Sequence, residues 1–194
     1  MDTETQKVME KAVLDKSGSR FTVQAFSAGL LSSFGHNPTI AIRDFYGEIQ
    51  FVPNTFENAC VRVTVQTRRL DVLDEMKSED RRKLEQEMYE RVLRVEQFPT
   101  AEFQSKEITV QKLGGDLLMA HSVGELIFHG VKRTRPIDAR VSRMGSMLRI
   151  SGQFTLRQSD YGIKPVSFAG GALKLKDELK FSFELAARAQ EQSQ

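Results

Sequence analysis

Between Phe98 and Ile163 three segments, FPTAEFQSKEI, GELIFHGVKRT and GQFTLRQSDYGI, alternate apolar with polar residues and are divided by glycines and charged turns. Side chains along a strand point to opposite faces with a period of two, so this alternation predicts strands with one dry face and one wet face. Leu148, Ile150, Phe154 and Leu156 share a face with Gly152, against Arg149, Ser151, Gln153, Thr155 and Arg157. Leu126 and Phe128 oppose Glu125 and His129; near the C-terminus Leu179, Phe181, Phe183 and Leu185 oppose Lys180, Ser182 and Glu184. Strands of this kind pack their dry faces together, which predicts an antiparallel barrel or sandwich. The interior, rather than a catalytic cluster, is then the working part.

The chain has 194 residues, long enough for one domain with a sizeable core and short for two. Its 28 Lys and Arg nearly balance 26 Asp and Glu, leaving a formal net charge of +2. So small an imbalance gives no field that would draw nucleic acid or an anionic membrane. Cys60 is the single cysteine, which excludes an intrachain disulfide and any site built from several thiolates. The first twenty residues mix both charges and lack the apolar core of a secretory signal. No apolar run approaches the roughly 18 to 20 residues that span a bilayer. The expectation is a protein of the cytoplasm with no stable membrane insertion.

Residues 1–17 are expected as a polar leader, frayed or shortly helical, 18–188 as the single domain, and 189–194 as a polar tail. The first strand carries Phe21, Val23 and Ala25. LLSSFGHNP then breaks the pattern, and TIAIRDFYGEIQF resumes it with Ile40, Ile42, Ile49 and Phe51 around a kink at Gly47. Val61, Val63 and Val65 form the next inward row. From Ser78 to Val95 the period changes to that of a helix, with Leu84, Met88 and Val92 on one face and Leu93 beside them. Ser78 is the expected N-cap and Pro99 the expected stop. Five further strands are expected near 101–110, 116–129, 136–143, 147–157 and 178–188, with turns at Gly114-Gly115 and Gly145-Ser146. The fold class is mainly β: an antiparallel barrel of about eight strands with one inserted amphipathic helix, because closure removes exposed edges.

The chain holds no GxSxG elbow, no phosphate-cradling GxxxxGK[ST] and no GxGxxG after a strand, so no catalytic residues are assigned. His36, His121 and His129 lie in different elements without metal-pair spacing, and no metal site is expected. Two polar clusters stand out. SSFGHN around His36 is either a turn whose histidine bonds to backbone or a polar group at the barrel mouth. Arg157, Ser159, Asp160 and Tyr161 before Gly162 either pair to fix a bend or present polar groups to a ligand.

FSAGLLSSFGHN followed by FYGEIQF, the helix ending MYERVLRVEQFPTAEFQS, GELIFHGVKR, and GQFTLRQSDYGI before the last strand together resemble the YceI family of polyisoprenoid-binding, lipocalin-like proteins. The resemblance spans roughly residues 19 to 187. It implies a lipocalin-like extended antiparallel barrel holding an isoprenoid chain in an internal tunnel, with a helix packed nearby. Two departures are visible: many relatives are exported to the periplasm, whereas this chain shows no signal, and Pro38 stands where some similar sequences have a second histidine.

The expected role is non-enzymatic binding, carriage or sensing of an apolar lipid, a polyisoprenoid or an isoprenoid quinone tail, with no required cofactor. Phe21, Val23, Ile49, Phe51, Val63, Phe103, Leu126, Phe128, Leu156, Phe181 and Phe183 are the candidate lining, and His36, Arg157, Asp160 and Tyr161 the head-group candidates. Two other readings stay open: a filled barrel acting as a protein-interaction or oligomerisation module, and an enzyme on a lipid-like substrate with His36 as base. A homodimer is left open as well. The same inward phenylalanines serve a filled barrel and a hollow one.

Overall fold

The computed structural model describes residues 9–28, 37–53, 55–165, 167–168 and 173–190. In chain order they form β1 (Glu10–Ala28), β2 (Thr39–Ile42), β3 (Phe45–Phe51), β4 (Cys60–Gln66), β5 (Leu70–Val72), α1 (Ser78–Glu87) with a π-helical turn at Met88–Val92, then β6 (Thr100–Gly114), β7 (Leu117–Phe128), β8 (Val131–Met144), β9 (Met147–Arg157), a 3-10 turn at Gln158–Tyr161, β10 (Ser167–Phe168) and β11 (Leu173–Gln190). The strands make one antiparallel sheet in the order β10-β11-β9-β8-β7-β6-β4-β3-β1-β2-β5. Pairing of β11 with β1 closes it, setting Phe21 opposite Phe183 and Val23 opposite Phe181. Eight of these strands, β1, β3, β4, β6, β7, β8, β9 and β11, complete the barrel, while β2, β5 and β10 extend it. This is the lipocalin-like closed barrel that the alternation and the resemblance predict.

Several local expectations are corrected. Residues 10–17, expected as leader, are the first half of β1: Ala12 and Leu14 are buried, Val13 faces Arg188 on β11 and Glu48 on β3. Burial alternates there, but Ala12-Val13-Leu14 is a continuous apolar run in the sequence, and the irregularity between Asp15 and Arg20 shifts the register beyond it. The expected tail likewise begins too early, since β11 runs to Gln190.

TIAIRDFYGEIQF is two strands, not one. β2 pairs with Thr22–Gln24 of β1 and β3 with Glu10–Val13. The break falls at Arg43-Asp44, while Gly47 lies inside β3 beside the Arg62 carbonyl, where a Cβ would approach to 2.4 Å. Crowding, not a kink, accounts for that glycine.

The helix is capped at Lys77 without a side-chain hydrogen bond, so Ser78 is its first residue rather than its cap. Regular α-helix stops at Glu87 and the chain continues as the π-helical turn, with the Leu93 N–H bonded to the Met88 carbonyl at 2.8 Å. The left-handed backbone at Arg94, φ 49°, ends it well before Pro99. The helix is tied to β5: the Tyr89 hydroxyl donates to the Leu70 carbonyl and accepts from the Leu70 N–H, and Arg81 donates to the carbonyls of Val72 and Asp74.

β8 starts at Val131, several residues before the expected 136. Its charged KRTR opening hides a strand whose backbone pairs fully with β7. His129 is therefore not an outward strand residue. It forms the tight turn with Gly130, both at positive φ (49° and 75°), as a two-residue hairpin of this hand requires.

A hollow apolar interior as candidate binding site

The barrel encloses a cavity of about 310 Å³. Its walls are Phe21 and Val23 from β1, Ile49 from β3, Val61, Val63 and Val65 from β4, Phe103 from β6, Leu126 and Phe128 from β7, Phe154 and Leu156 from β9, and Phe181 and Phe183 from β11. Strand alternation delivers each of these side chains inward. Leu84, Met88, Val92 and Leu93 of the helical segment line the end where β4 leaves the barrel and β6 enters. Leu118, Val141, Leu148 and Leu185 line the opposite end, beside the β6–β7 and β8–β9 turns.

Phe154 and Phe181 stack at 4.8 Å, and Phe21 meets Phe45 and Phe183 edge-on at 5.8 and 6.2 Å. Phe21, Ile49, Val63, Phe128, Phe154 and Phe181 stay only partly buried although they point inward, because they face the void. An eight-stranded barrel is just wide enough to be filled by side chains or to hold one small ligand. Here the interior is hollow.

All the expected lining residues face this cavity except Phe51. Phe51 has no exposed surface, stacks on Phe56 at 4.7 Å and lies under the Arg143 guanidinium at 5.9 Å. It ends β3, and Arg143 is held there by Glu10 at 3.0 Å, so Phe51 packs where the strand leaves the wall.

The head-group candidates separate. His36 lies outside the described residues. Arg157 is exposed at the end of β9 and does not pair with Asp160; it helps hold the Asp177 carboxyl below its usual range, an effect due first to the Ser159 hydroxyl. Asp160 pairs with Arg135 of β8, whose Nε also donates to the Tyr161 hydroxyl at 3.2 Å. The Tyr161 ring is fully buried against Phe128 at 5.5 Å. Asp160 and Tyr161 thus fix the 3-10 turn against the barrel and are not among the cavity walls. Arg135 was legible: it shares the alternation of inward-facing Ile137, and an arginine on that face needs a partner.

His129 donates from Nδ1 to the Tyr161 carbonyl at 3.1 Å, which leaves Nε2 as the bare nitrogen of the neutral ring. Nε2 is buried without a partner among the described residues, and the ring packs on Phe98 at 4.2 Å. Burial first, and the Arg94 charge second, push this histidine below its ordinary range. His121 sits elsewhere, bonded to Asp138 at 3.0 Å. Among the described residues no three His, Cys, Asp or Glu side chains gather as metal ligands, and no helix is long and apolar enough to cross a membrane.

Among the described residues few polar ones line the cavity: Thr67, Glu87, Glu102, Ser122 and Gln158. Thr67 donates to the Phe98 carbonyl at 2.8 Å and Gln158 to the Lys176 carbonyl at 3.0 Å. The Ser122 hydroxyl has no partner among the described residues. Ser122 shares the even-numbered face of β7 with Leu126 and Phe128, so its inward position was readable from the sequence.

A closed antiparallel barrel with a hollow, apolar interior and a helix at one end defines a lipocalin-like binding fold. The chain belongs to the YceI-like family, whose domain model matches residues 13–187. Solved structures with the same fold include BcnA of Burkholderia cenocepacia, at a TM-score of 0.70 and 16% identity over 89% of this chain and 98% of that one. A polyisoprenoid binding domain from Saccharophagus degradans implicated in plant cell wall breakdown gives 0.68 and 12% over 93% and 98%. The YCEI protein of Campylobacter jejuni gives 0.63 and 16% over 81% and 88%. A search of curated protein sequences found no match.

Proposed function

We propose that the protein binds and carries, or senses, an apolar isoprenoid-type chain in its barrel, without catalysing a reaction on it. The observation that carries this reading is the hollow apolar cavity of about 310 Å³. Its walls are almost wholly apolar, so water inside finds few partners and the wall atoms lack contacts on one side. An occupant that fills it restores those contacts. The binding named for the Saccharophagus degradans domain supports the choice of a polyisoprenoid.

Each buried methylene is worth about 0.8 kcal/mol against water, so one isoprene unit contributes roughly 3–4 kcal/mol. A membrane offers the same lipid an equally apolar home, and the net gain over that competitor is near zero. Selectivity then comes from the shape set by Phe103, Phe154, Phe181 and Phe183 and from the few polar groups inside. A filled-barrel interaction module is disfavoured by the cavity. A lipid-modifying enzyme is left with no reactive group in the described walls beyond two glutamates, a glutamine and two hydroxyls.

The test is solvent extraction of protein purified from cells, with mass spectrometry against a mock purification. An isoprenoid or quinone at about one per chain is expected; a clean extract at full protein recovery overturns the reading.

A further inference from the structure

We infer that Ser122 is a hydrogen-bonding anchor inside the tunnel, and that the bound lipid therefore carries an uncharged oxygen, a hydroxyl or carbonyl, that lies within the barrel rather than at its rim. This rests on the reading of the cavity as a lipid site and narrows its ligand. Ser122 stands on β7 between Ile108 of β6 and Ile137 of β8, all three in the cavity wall. The residue is 8% exposed and its Oγ has no hydrogen-bond partner among the described residues.

Other buried hydroxyls of this barrel are used. Ser105, similarly buried, accepts from the Val61 N–H at 2.8 Å, and Thr67 donates to Phe98. Ser122 has neither kind of partner among the described residues, and its cross-strand neighbours, Ile108 on β6 and Ile137 on β8, offer no polar side chain. A hydroxyl stranded among isoleucines is costly, and a ligand oxygen is the group that would satisfy it.

The same walls limit the charge of that ligand. Among the described residues no Lys or Arg lines the cavity, so a phosphate or diphosphate drawn inside would lose its water with no cation in these walls to replace it. Along β7, at about 3.3 Å per residue, Ser122 lies ~20 Å from Phe128 near the helix end. An oxygen that reaches it has travelled deep into the barrel with the chain.

The test uses delipidated full-length protein and three probes on one carbon skeleton: farnesol, farnesene and farnesyl diphosphate. Affinities are measured by calorimetry for wild type and Ser122→Ala, and both ligand-free proteins are melted. Farnesol should gain from Ser122, so the ratio of farnesol to farnesene affinity falls about tenfold in Ser122→Ala. Farnesyl diphosphate should bind wild type more weakly than either, and ligand-free Ser122→Ala should melt higher than wild type because a stranded hydroxyl is gone. An unchanged ratio, or a diphosphate that binds as tightly as farnesol, overturns the inference while the cavity reading stands. If wild type binds none of the probes, the cavity reading falls with it.

Discussion

The ring tip of Phe183 occupies the space that a Cβ on Gly152 would need, 2.5 Å from its ideal position. The two residues face each other across the β11–β9 ladder. Gly124 gives Phe103 a similar seat from a diagonal position, since it pairs with Ser105 across β6 and β7, and a Cβ there would lie 2.6 Å from the ring tip. Both rings lean over a side-chain-free stretch of a neighbouring strand. A bulky inward ring can thus sit in the wall of a barrel whose centre stays open.

Gly152→Ala removes this seat. The added methyl meets Phe183 and also the Asp138 carbonyl of β8, so the cost is both a displaced ring and a strained strand. We expect a loss of about 1–3 kcal/mol, as for overpacked cores. Phe183→Leu in the same protein should recover part of it. Urea denaturation of the two single variants and the double variant measures the coupling; simple additivity would mean that the ring and the glycine do not depend on each other.

The barrel was legible in the sequence because it is written in a period of two, and all but one of the expected lining residues point into the void. Hollowness was not legible, since Phe154 or Phe181 would alternate identically in a filled core. Phe51 misled for a related reason: alternation tells which face a side chain takes but not where along the barrel the wall ends. Topology separates the head-group candidates. Arg157 and Asp160 are neighbours in sequence, yet the 3-10 turn carries Asp160 to Arg135 on another strand. The strand within the expected leader was masked by the register shift after Asp15.

Ala139 faces Ala120 across β7 and β8, and both line the cavity. Ala139→Phe would put a ring into space that is now empty. Filling a cavity commonly adds about 0.5–2 kcal/mol, so the ligand-free protein should melt higher while retention of co-purified lipid falls sharply. A variant that melts higher yet keeps its lipid in full would show that the occupied path avoids this stretch.

Tyr89 holds the π-helical turn to β5 through the Leu70 N–H and carbonyl, and burial raises its phenol above the ordinary range. Met88 and Val92 on either side of it line the cavity. Tyr89→Phe strands the Leu70 groups at a cost of about 1–3 kcal/mol. If lipid passes under this segment, transfer of a fluorescent fatty alcohol to acceptor vesicles should speed up several-fold in the variant. An unchanged transfer rate would place the path at another part of the barrel.

His129 gives the fold a defined acid sensitivity. Its folded-state value lies below the ordinary 6.5, chiefly because the ring is buried, so on acidification the unfolded chain takes up the proton first. Stability is therefore unaffected at high pH, begins to fall as pH drops through 6.5, and stops falling once the folded ring also protonates. The bare Nε2 has no acceptor beside it among the described residues, and the Arg94 charge opposes a second cation. Asparagine tolerates the left-handed backbone at this turn and keeps a donor for the Tyr161 carbonyl. Urea midpoints at pH 7.5 and about 5.5, above the carboxylate range, should separate for wild type and draw together for His129→Asn. Equal separations in the two proteins would assign the acid response to other groups.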